Sequence, residues 1–141
     1  MRYKKVEEGY LIRLDPGEEV LSKLVDFVKA EQIPGGFITG MGAVERVTIG
    51  FYDYENRSYI TKTYRDRLEV GNLNGNITYL EETGDPFIHC HVTVGDSSLN
   101  SYTGHLFEAI VLVTVEIFIR PLKEKLMRHR NQEVGFNHWQ L

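Results

Sequence analysis

Three histidines carry the most chemical promise in this chain. His89 and His91 sit in the run Pro86-Phe87-Ile88-His89-Cys90-His91-Val92-Thr93-Val94, and His105 follows a short loop, beside Gly104. Neutral imidazole is the commonest protein ligand for transition metals, so their spacing matters. The apolar, β-branched run reads as a strand, whose successive side chains point to opposite faces. His89 and His91 then share a face with Phe87 and Thr93. Their Cα atoms stand roughly 7 Å apart, so both rings can converge on one ion. Ile88, Cys90, Val92 and Val94 form the other face, which packs on the core. Cys90 is therefore a small core residue and not a ligand. With His105 as a third nitrogen and an open fourth position, the pattern is that of a reactive or exchangeable zinc site. The same residues also describe a polar sheet face without metal, or a zinc that only pins the His105 loop to the sheet.

The elements that must position these residues follow from the pattern on either side. Val6 and Tyr10 to Leu14 read as a first strand, closed by Asp15-Pro16-Gly17. Val20, Leu21, Leu24, Phe27 and Val28 recur at helical steps. Asp15 is the expected N-cap, Pro16 the first helical residue and Glu18 the capping-box partner. Ile33-Pro34-Gly35-Gly36 ends that helix. Phe37 to Tyr54 is strand-like but punctuated by glycines, which predicts a bend between two strands or a close approach of another backbone. A hairpin turn at Glu55–Ser58 leads to a strand over Tyr59–Tyr64 and another from Arg67 to Val70. Asn72 to Asn76 reads as a turn before Ile77–Leu80 resumes. Ala109 to Ile119 is apolar on both faces for most of its length, which predicts a central strand ending at Pro121. The basic, then aromatic tail with Phe136 and Trp139 is expected to dock on this subunit or a neighbour. Many strands and one good helix make an α+β fold, a mainly antiparallel β-sheet covered by one main helix.

The chain of 141 residues is expected to form a single domain over 1–141. It contains no apolar run of the length a membrane span needs. No apolar signal segment follows the basic Met1–Lys5, and a single cysteine fits a reducing compartment, so a cytoplasmic location is expected. The net charge of −4 disfavours duplex DNA, which needs a basic face to displace counterions. Positive residues cluster only at Lys62–Arg67 and Lys123–Arg130.

Gly40-Met41-Gly42-Ala43, Leu73-Asn74-Gly75-Asn76-Ile77, the histidine run from Pro86 and Gly104-His105-Leu106 together resemble the PPC domain, conserved in plants and prokaryotes. The likeness covers roughly Tyr10 to Leu122. It implies an antiparallel sheet domain that assembles as a homotrimer, with a metal, zinc first, on His89, His91 and His105. It also implies a fold similar to that of acetolactate decarboxylase, a zinc enzyme. DNA is a partner by family resemblance, because the domain occurs in plant AT-hook proteins, but this chain has no Gly-Arg-Pro hook.

Two functions follow. One is a metal-binding, DNA-binding-like or regulatory module of unknown ligand. The other is a zinc-dependent lyase or hydrolase acting on a small anionic metabolite. An enzyme needs a carboxylate for proton transfer and a cation for the substrate. Glu69 and Arg67 are the first pair to consider, with Glu45, Arg46 and Glu108 behind them.

Overall fold

The computed structural model describes residues 1–133 and 135–141. A first hairpin pairs β1 (Arg2–Val6) with β2 (Gly9–Leu14), and α1 (Val20–Ala30) follows. Two long strands come next, β3 (Gly36–Asp53) and β4 (Ser58–Leu80). They are followed by β5 (Pro86–Gly95), the long β6 (Ser101–Pro121), β7 (Met127–Arg130) and β8 (Asn137–Trp139). The fold is α+β, as expected: among the described residues, one helix lies against a sheet in which only the short β4–β7 pairing is parallel.

The sheet closes on itself. β6 pairs with β3, β3 with β4, β4 with β5, and β5 returns to β6. Within the closed part each strand has a partner on both sides and no edge is free, whereas β4 from Ser58 to Leu68 pairs with β3 alone among the described residues. Its inner face is the core, built from alternating residues such as Ile88, Cys90, Val92 and Val94 on β5 and Val111, Val115, Ile117 and Ile119 on β6. Leu24, Phe27 and Val28 of α1 pack into the same cluster. β6 is central, as its two apolar faces predict: β2 and β3 flank it along its second half.

Several boundaries differ from expectation. The helix starts later than the Asp15 cap implies, with Glu19 as N-cap: its carboxylate accepts from the backbone N–H groups of Leu21 and Ser22. The reason is tertiary. Gly17 N–H donates to the Val111 carbonyl, and Val111 N–H donates back to Glu18, so Pro16–Glu19 is tied to β6 and cannot wind. Glu18 still accepts from Asp15 N–H, so half of the capping box forms one turn early. At the other end Gln32, not a glycine, takes the left-handed backbone at φ 52°.

The glycine-rich stretch from Gly36 is one continuous strand with register shifts at Gly40/Gly42 and Val44/Arg46, not two strands with a bend. Asn72 to Asn76 is no turn either. β4 runs unbroken from Ser58 to Leu80, because ladders on both sides, to β3 and β5, override the local turn preference. The irregularity there is a bulge between Val70 and Asn72 in the β5 ladder. Gly75 serves close approach: a Cβ there would lie 2.4 Å from both Cys90 Sγ and the His89 carbonyl.

Candidate metal centre

β5 alternates as its sequence predicts. Ile88, Cys90, Val92 and Val94 are buried, while His89 is half-buried and His91 exposed on the outer face of the ring. His105 is not in a loop but is the fifth residue of β6, and it pairs across the ladder with His91. Gly104 permits that register, since a Cβ there would meet the Gly50 carbonyl of β3 at 2.7 Å. One ligand atom from each of His89, His91 and His105 lies within 4.8 Å of the others. Ring centroids are 5.0 to 5.5 Å apart.

The donor chemistry suits a divalent ion. Nitrogens sharing a tetrahedral zinc stand about 3.3 Å apart at ordinary bond lengths, so small ring rotations would gather all three. His105 Nδ1 is buried without a hydrogen-bond partner. Burial, then the Arg128 charge, then the neighbouring imidazoles push His89 down to about 4. Burial, His91 and Arg128 do the same for His105. Both rings are therefore neutral at pH 7, the state a metal requires. Cys90 faces the core, and burial raises its thiol to about 12, which removes it from ligand chemistry.

An aromatic wall stands beside the cluster. The rings of Tyr59 and Phe107 lie 5.1 and 4.9 Å from His105 and 5.0 Å from one another. Against His89 stands Arg128, which sequence reasoning missed. It reads as one cation of a basic tail, yet it is 7% exposed and reaches back to the site. Its Nε donates to Thr78 Oγ1, Nη1 to the Asn137 carbonyl, and Nη2 to Asn76 Oδ1. Nη2 also lies 3.0 Å from His89 Nδ1. A guanidinium has donors only, so that ring nitrogen accepts. Asn76, directly opposite His89 in the ladder, accepts from Trp139 Nε1 as well. The tail thus docks on its own chain, through β7–β8 against β4. The other two histidines, His129 and His138, meet each other there at 2.9 Å.

The acid and base candidates are not gathered here. Arg46 and Glu108 form a two-pronged ion pair at 2.8 and 3.0 Å with each other. Glu69 lies opposite Gly95, four residues beyond His91 along β5, or about 13 Å at the strand rise. Glu69, Arg67 and Glu45 are exposed.

With this geometry in view, comparison with known proteins gives a consistent picture. A family model described as the Plants and Prokaryotes Conserved (PCC) domain matches residues 1–123. The crystal structure of a candidate DNA-binding protein from Ralstonia eutropha JMP134 is 34% identical, with a TM-score of 0.91 over 99% of this chain and 95% of that one. A protein of Archaeoglobus fulgidus described as metal-containing is 32% identical, with a TM-score of 0.87 over 99% and 97%. Acetolactate decarboxylase from Bacillus subtilis shares the fold alone, at 14% identity and a TM-score of 0.59 over 88% and 57%. Among curated sequences, the bifunctional protein GlmU of a Synechococcus strain is 24% identical over 130 residues; the chain spans 19% of that protein's length and 90% of its own.

Proposed function

We propose a metal-dependent role for this chain, which belongs to the Plants and Prokaryotes Conserved (PCC) domain family. In this reading it is a single domain over 1–141 whose His89, His91 and His105 hold one divalent ion, zinc first, and which acts as a homotrimeric regulatory or ligand-sensing module in the cytoplasm. The observation that carries it is the meeting of three imidazole nitrogens within 4.8 Å on two paired strands. The metal-containing description of the Archaeoglobus relative supports it. Imidazole also suits nickel, copper and iron, so the site is defined more sharply than the element.

Elemental analysis tests this directly. The protein refolded with zinc is expected to carry one equivalent, each single His→Ala variant to lose most of it, and Cys90→Ala to keep it. A metal-free wild type, or full occupancy in His105→Ala, overturns the reading.

Relatives described as candidate DNA-binding proteins raise duplex DNA as a partner. The net charge of −4 argues for weak binding at physiological salt. A titration reaching the ~10⁻⁸ M of specific complexes would restore DNA as the ligand. The second reading, a zinc-dependent lyase or hydrolase acting on a small anionic metabolite, is favoured by one observation: the buried cation Arg128 beside the histidines.

A further inference from the structure

We propose that Arg128 and the histidine cluster form a binding site for a small organic carboxylate, with the guanidinium grasping the carboxylate and the aromatic wall holding its organic part. The grip on the carboxylate stands on Arg128 itself, and the release of a second donor from His89 rests on the reading that the three histidines hold a metal.

The charge inventory leads to it. Arg128 is buried, and among the described residues no carboxylate pairs with it. Its partners are a hydroxyl, a side-chain amide, a backbone carbonyl and a neutral ring. A buried charge without an opposite charge is costly. The histidines bring no negative charge, and a divalent ion would add two positive ones. Such a site is incomplete until an anion enters it.

The donors are also placed for one. Guanidinium carries five N–H hydrogens. Nε uses its one, Nη2 both of its own, and Nη1 one of two, which leaves one on Nη1 free. The Nη2 bond to His89 is the exchangeable one. While Nδ1 accepts, a neutral His89 keeps its proton on Nε2. If Nε2 becomes the ligand atom, that proton belongs on Nδ1, which then no longer accepts. Nη2 is released with a hydrogen to offer.

Shape selects the class. Phe87 lies under the guanidinium at 5.5 Å, and Tyr59 and Phe107 stand against His105. Flat apolar walls and one planar fork suit a carboxylate on an organic group. Among the described residues Arg128 is the one guanidinium hydrogen-bonded to the cluster, and a tetrahedral dianion gains less from a single planar fork.

Trp139 provides a built-in reporter. It is the chain's single tryptophan, and its Nε1 shares Asn76 Oδ1 with Arg128. The full chain, loaded with zinc and assayed for it, is titrated with benzoate and separately with sulfate, reading Trp139 fluorescence and heat. Saturable benzoate binding tighter than sulfate is expected. Arg128→Met should weaken it at least tenfold while zinc stays bound. Asn76→Asp sets a carboxylate against the guanidinium in place and should have the same effect even if Arg128→Met fails to fold.

Benzoate affinity within twofold of wild type in both variants, tighter sulfate binding, or no saturable response in the zinc-loaded wild type overturns the inference. A chain that takes up no zinc overturns the metal reading instead. Arg128-dependent benzoate binding by that same chain still upholds the carboxylate site.

Discussion

At the scale of single residues, the histidines are tuned by what surrounds them. An unfolded chain takes up protons on His89 and His105 near pH 6.5, while the folded chain resists until about 4. Between those values the unfolded state binds more protons, so stability falls as pH falls. The metal-free protein is therefore expected to hold a constant melting temperature above about pH 6.5 and to lose stability down to about pH 4. Below that, Asp53 and Asp96, whose carboxyls the Asn56 and Asn100 side chains hold below the usual range, add their own loss. A melting series across that range checks it; a flat profile refutes the neutral, desolvated rings. What the sequence disclosed at this scale was parity. Alternation placed His89 and His91 on one face and Cys90 on the other, because period two survives any error in strand ends. What it hid was Arg128, whose role depends on a parallel pairing between β7 and a strand some fifty residues earlier.

Among the elements, the long strands were harder to read than the helix. Asn74 and Gly75 favour turns, and only the ladders on both sides make them extended. Gly75 is nonetheless needed for a different reason, the closeness of β5. Gly75→Ala would drive a methyl into Cys90 Sγ and the His89 carbonyl and should destabilise the fold by about 1–3 kcal/mol. Because His89 sits on the displaced strand, zinc affinity should fall in the same variant. Denaturant melts and a zinc titration measure both. Loss of stability with unchanged zinc affinity would show that β5 moves as a rigid unit.

For the whole molecule, the ring of strands and the helix leave one side bare. Tyr3, Leu11, Phe37 and Met41 are each about half exposed or more. Several of them border an open groove of about 560 Å³ flanked by Arg2, Lys4 and Arg13. The aromatic tail, expected to dock on this subunit or a neighbour, folds back onto β4 of its own chain, which leaves this other surface to carry the proposed trimer. Sedimentation at micromolar concentration should give the mass of a trimer, and Met41→Glu should shift it toward monomer. A monomeric wild type would leave the exposed side chains without a partner copy.

The pairing of His91 with His105 has a consequence in time. Their hairpin closes around the short segment 96–100, whereas β2 meets β6 across roughly a hundred residues of chain. Closing a loop costs entropy that grows with its length, so near neighbours meet sooner. Two of the three nitrogens are thus assembled while most of the chain is still searching. An ion caught by that hairpin would hold its register and shorten the search for the rest. Refolding followed by stopped-flow fluorescence is expected to run faster with zinc in the buffer than with a chelator, and the difference should vanish in His91→Ala.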